Sequence, residues 1–177
     1  FGYGWDLTQI PGLAAGDVLA VRITAEDGKS QLTTTSVRRL TIISEEQLAN
    51  RIAAGQGSIL NQLAETLRLA RQAFEQTAAI ETGLREAGQI SASDLHQLQS
   101  VQHNQRQIEQ LLDNSPQGVE GQLAALLAEL AANRVANQAV GDRLNDLHKR
   151  VGDVNRQSLP KIDQALAAAF KAARGGE

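Results

Sequence analysis

The chain has 177 residues, with 17 Lys or Arg against 20 Asp or Glu, a net charge of −3 and a pI near 5.7, so no global basic field draws it to nucleic acid or anionic lipid. It contains neither Cys nor Met, which excludes disulfides, thiolate nucleophiles and Cys-based zinc sites. Hydrophobic residues reach 42% but aromatics only 3%, the composition of long helices packed by small and branched side chains, and no apolar run approaches the ~20 residues of a membrane span. With no Met even at position 1, the sequence reads as a piece cut from a longer protein; if that protein is anchored in a membrane, its anchor lies outside this segment.

Residues 1–43 read as a partial β segment. Gly2, Gly4, Pro11-Gly12, Gly16-Asp17 and Asp27-Gly28 punctuate turns. Between them Leu19, Val21, Ile23 and Ala25 alternate with Val18, Ala20, Arg22 and Thr24, the period of a strand. A second strand spans about 34–43, with Leu40 and Ile42 inward and Trp5 and Leu7 packed beneath. Two or three strands do not make a stable sandwich. The segment therefore reads as the last strands of an Ig-like sandwich, with a small sheet at a helix base as the alternative.

Residues 44–174 read as long helices at about 44–88, 93–113, 116–158 and 161–174. Ser44 and Gln47 have the spacing of a capping box. From there Ile52, Ile59, Thr66, Ala73, Ile80 and Ala87 recur every seven residues, beside Leu63, Ala70, Thr77 and Leu84, a coiled-coil pattern. Leu60, Leu67 and Phe74 widen the stripe toward a further neighbour. This helix would be about 65 Å long, joined to the β segment without a linker and continuous through Gly55 and Gly57. It stops near Gly88, and Ser91 or Ser93 caps the next. Asp113-Asn114-Ser115-Pro116-Gln117-Gly118 reads as a reversal. The third helix then carries Val119, Leu126, Asn133, Val140, Leu147 and Val154 beside Leu123, Leu130, Asn137, Leu144 and Val151. Pro160 should kink or break it, with Ile162, Leu166, Phe170 and Ala173 continuing in a shifted phase. The fold class expected is mainly α, α+β overall: a long antiparallel three-helix coiled-coil bundle, up-down-up, with a small N-terminal β remnant.

In that arrangement the third helix overruns the second, and Val140, Leu144, Leu147, Val151 and Val154 need a partner. Asn133 and Asn137 fall on the same seam, where Asn fixes register and partner number at a cost in stability. Those seven residues are the expected interaction and register positions. His96 and His103 share a helix face but lie about 10.5 Å apart, too far to share a metal; His148 is isolated. There is no phosphate loop and no Ser–His–Asp grouping by spacing. No catalytic residue, metal or cofactor is expected, and the expected partner is protein: a second copy or the rest of the parent chain.

Several stretches together resemble one family. They are Trp5-Asp6-Leu7, Gly12-Leu13, Gly16-Asp17-Val18, residues 21–27, Ile42-Ile43-Ser44-Glu45-Glu46, residues 103–107, residues 131–135, residues 159–162 and residues 167–173. The pattern is similar to the C-terminal Ig-like and coiled-coil region of large membrane-anchored envelope proteins of planctomycete-type bacteria. The resemblance implies a cell-envelope location and an Ig-to-coiled-coil architecture, and it implies no catalytic residue. The function expected is a non-catalytic spacer and assembly module; the alternative is a binding module whose exposed seam receives a partner helix.

Overall fold

A computed structural model of the chain describes residues 6–133 and 138–174. The chain divides into two compact units, residues 1–53 and 54–177.

In the first unit a short 3-10 turn at Leu7–Gln9 precedes four strands: β1 Val18–Val21, β2 Thr24–Glu26, β3 Leu32–Thr34 and β4 Arg38–Thr41. β1 pairs antiparallel with β4, and β2 with β3. The two expected strands are thus each split in two. Arg22-Ile23 faces Thr35-Ser36-Val37, so one arm carries an extra residue, the arrangement of a β-bulge. Ile23 seals it by accepting from Thr35 N at 2.9 Å while its own N donates to Thr35 Oγ1 at 3.1 Å. At the tip, the Asp27 carboxylate accepts from Lys29 N and Gln31 N. Leu19 and Val21 are half-buried as the alternation requires, whereas Leu40, expected inward, is exposed along with Val18, Ile23, Leu32 and Val37. Trp5 lies outside the described residues.

Five helices follow: α1 Glu45–Ala87, α2 Ala92–Leu112, α3 Val119–Ala132, α4 Gln138–Asp153 and α5 Leu159–Arg174, the last two joined by a π-helical segment at Val154–Ser158. The capping box of α1 forms as its spacing predicts, with Gln47 N donating to Ser44 Oγ and Ser44 N to Gln47 Oε1. Ser91 and Asp94 make the equivalent box on α2. α1 ends at Gly88, whose φ of 70° suits glycine.

Contacts in the second unit run in one register. Gly83 faces Asp94, Gln76 meets Ser100 and Asn104, Gln62 meets Gln117, and Gly55 meets Leu126. As numbers fall along α1 they rise along α2 and then α3, so both run antiparallel to α1, end to end. The expected reversal at 113–118 is therefore a break without a change of direction. Asp113 Oδ1 accepts from Ser115 N and Oγ, and Gly118 N donates to Ser115 O and Oγ. A Cβ on Gly121 would collide with the Ser115 carbonyl. Leu112 and Val119, seven apart and both buried, keep one heptad phase across the break, which is why both helices present their seams to α1.

The expected helix over 116–158 does not exist as one element. α3 ends at Ala132, where Asn133 takes the C-cap and its Nδ2 donates to Glu129 O at 2.8 Å. α4 packs back against α3. Its far end meets Glu120 at the start of α3 through Asn155 and Arg156, while α5 runs along α2. No overrun remains. Leu144 and Val151 are buried within the chain itself, Val140 and Leu147 are half-buried, and Val154 sits at the surface.

Pro160 also departs from expectation: the helix passes through it. A proline ring clashes with the carbonyl four residues back, and here the preceding turn is widened, with Leu159 N donating to Val154 O. The buried positions Leu144, Val151, Leu159 and Leu166 are spaced seven, eight and seven. The π segment absorbs the extra residue and keeps all four on one face.

Candidate interaction surface

α1 carries two heptad rows on different faces. Gly55, Ile59, Gln62, Thr66, Leu69, Ala73, Gln76, Ile80 and Gly83 are buried or half-buried in alternating steps of four and three. The first expected row (Ile59, Thr66, Ala73, Ile80) belongs here. The second inward row is Gly55, Gln62, Leu69, Gln76 and Gly83, one position away from the expected set. A hydrophobicity count overlooks such a row, because its members are glycine or glutamine at four of five places. Each earns its position by contact. Gly55 admits Leu126, and Gln62 Nε2 donates to Gln117 O at 3.1 Å. Gln76 Nε2 donates to Ser100 Oγ at 3.2 Å, and Gln76 Oε1 accepts from buried Asn104 at 3.4 Å.

Of the other expected row Leu63 is half-buried, whereas Ala70, Thr77 and Leu84, with Leu60, Leu67 and Phe74, face outward. Phe74 is 75% exposed, Leu60 65% and Leu67 50%. Thr77 interrupts the apolar character little, because its hydroxyl is satisfied by the Ala73 carbonyl at 2.8 Å. Beside this row, α1, α2 and α5 leave a groove of about 460 Å³. Its α1 wall is Ala70, Ala73, Phe74 and Thr77, and Ala165 and Ala169 form part of the opposite wall. Small side chains on both walls open the groove, while Leu98, Val101 and Leu166 close its floor as part of a buried cluster with Ile80.

A second, polar cleft of about 510 Å³ lies where the α2–α3 break meets the π segment, lined by Glu109, Asp113, Glu120, Asn155, Arg156 and Asp163 among others. Asn155 Nδ2 donates to Leu112 O at 2.7 Å and to Glu120 Oε2 at 2.6 Å, and Arg156 Nη1 lies 3.4 Å from Glu120 Oε1. Among the described residues no group of three or more His, Cys, Asp or Glu is placed to hold a metal ion. His96 and His103 are exposed on α2 and His148 is half-buried on α4.

Of the seven expected interaction residues, Asn133 is an exposed cap and Asn137 lies outside the described residues. The remaining five lie on α4 and the π segment, away from the outward row of α1. Polar residues that do occupy the seam between α1 and α2 include Gln76 and Asn104. They could have been found from the sequence only by knowing that α2 pairs with α1 at that level. No helix among the described residues is long and apolar enough to cross a membrane. No family model matches the chain, and no curated protein or solved structure is significantly similar to it.

Proposed function

We propose that this segment is a non-catalytic structural and assembly module, and that the outward row of α1 is the surface on which another helix docks. The carrying observation is that α1 has one heptad row satisfied inside the unit while Leu60, Leu67, Phe74 and Leu84 are left exposed on another face. A helix has no folding use for a second apolar seam, and exposed apolar strips of this kind mark interaction sites. In the same proposal the three arms (α1, α2 with α3, and α4 with α5) act as a coiled-coil spacer in a cell-envelope protein. The ribbon of β1–β4 then belongs to an Ig-like sandwich; its exposed Val18, Ile23, Leu32 and Val37 support that reading, because a two-stranded ribbon cannot cover them.

The test replaces the row, as Leu60→Gln, Leu67→Gln and Phe74→Gln together. A docking surface is dispensable to the fold, so helical content and thermal midpoint should stay within a few degrees of the parent. A large fall in the midpoint would place the row inside the folding core and end the proposal.

A further inference from the structure

Resting on that reading, we infer that the helix docking on the outward row is α1 of a second copy, antiparallel, with the two-fold axis at the level of Gln72. Antiparallel pairing about that level sets Ala70 opposite Phe74 of the second copy, and Phe74 opposite its Ala70. The largest exposed side chain of the row then enters the groove walled by Ala70, Ala73, Ala165 and Ala169. Leu60 meets Leu84 at both ends, and Leu67 meets Thr77, whose hydroxyl is already bonded within its own helix. Large against small at the centre and apolar against apolar at the ends is the self-complementarity that a two-fold interface requires.

The charges beside the row point the same way. In this register Glu75 of one copy falls at the level of residue 69 of the other, between Arg68 and Arg71, and the two-fold repeats the match. Among the described residues Arg71 and Glu75 have no ion-pair partner of their own, while Arg68 is held by Glu65 and Arg85 by Glu81. In a parallel pair the two copies of this flank would lie on opposite edges of the interface, and Glu75 would lose its match to Arg68 and Arg71.

The full chain, free of Cys, suits single-cysteine mapping. Sedimentation equilibrium of the parent should fit a monomer–dimer equilibrium. Arg71→Cys, next to the axis, should form a disulfide-linked dimer under mild oxidation. Leu60→Cys alone should not, since the two copies of residue 60 would lie about 36 Å apart, but mixed with Leu84→Cys it should link readily. Arg68→Glu with Arg71→Glu should weaken association by about tenfold or more, and adding Glu75→Arg should restore it. A parent that stays monomeric at high micromolar concentration overturns the pairing, as does linkage of Leu60→Cys to itself or failure of the charge rescue. Such results leave the docking row standing, since that reading falls only if the polar row variant loses its fold.

Discussion

Asn155 ties the π segment to the end of α2 and the start of α3: one amide nitrogen donates to the Leu112 carbonyl at 2.7 Å and to the Glu120 carboxylate at 2.6 Å. Both partners are acceptors, so the orientation of the amide is dictated. Leu112 O is one of the last carbonyls of α2 and has no intrahelical donor to use. Replacing Asn155 by Ala should cost about 1–3 kcal/mol, the usual penalty for stranding such groups. Asn155→Asp should be worse at neutral pH, because it sets a carboxylate against Glu120 and a carbonyl. Urea unfolding of the two variants decides it, and an Asp variant as stable as the Ala variant would falsify the assignment.

The glycines of α1 separate helix propensity from packing. Gly57 has open space where a Cβ would go, whereas a Cβ on Gly55 would stand 2.9 Å from Leu126 Cδ2. Gly57→Ala should therefore stabilise by roughly 1 kcal/mol, the helix-interior difference between the two residues. Gly55→Ala gains the same propensity but must push buried Leu126 aside, so it should fall clearly short of that gain or destabilise. Equal thermal shifts for the two would show that α1 and α3 do not meet at this level.

The layer of Gln76, Ser100 and Asn104 should hold the α1–α2 register. Asn104→Leu alone leaves the Gln76 carbonyl without its donor and should cost about 1–3 kcal/mol. Pairing it with Gln76→Leu removes the orphan and should recover most of the loss, at the expense of a uniquely fixed register. A double-mutant cycle measures this coupling, and additive effects would mean that the two side chains act independently.

That layer also shows where legibility from sequence ended. Helices were readable because apolar residues repeat every seven and caps such as Ser44–Gln47 are local signals. Direction was not. The motif at 113–118 has the residues of a reversal, yet it breaks the helix without turning it. Only the unbroken heptad spacing from Leu112 to Val119 hinted at this. The shifted phase beyond Pro160 was visible, but a break and a π turn both account for such a shift, and burial of Leu159 and Leu166 decides for the latter. The inward row of α1 stayed hidden because Gly55, Gln62, Gln76 and Gly83 are chosen for what they touch across the interface, while apolar Ala70 and Leu84 beside the row are exposed.

Acid should loosen the start of α2. Hydrogen bonds from the Ser91 side chain, and then from its backbone, hold the Asp94 carboxyl below its ordinary value of 3.8. A carboxyl depressed in the folded state binds protons less readily than in the unfolded chain. The stability it contributes is therefore fully present above that ordinary value and is lost as pH falls toward the folded one. Thermal midpoints of the parent and of Asp94→Asn, followed from neutral pH down to about pH 3, should run parallel at first and converge below about pH 4. The parent should lose its advantage there, as the carboxylate that accepts from Ser91 becomes protonated. A difference between the two that stays constant through this window would mean that the capping carboxylate adds nothing specific to its charged form.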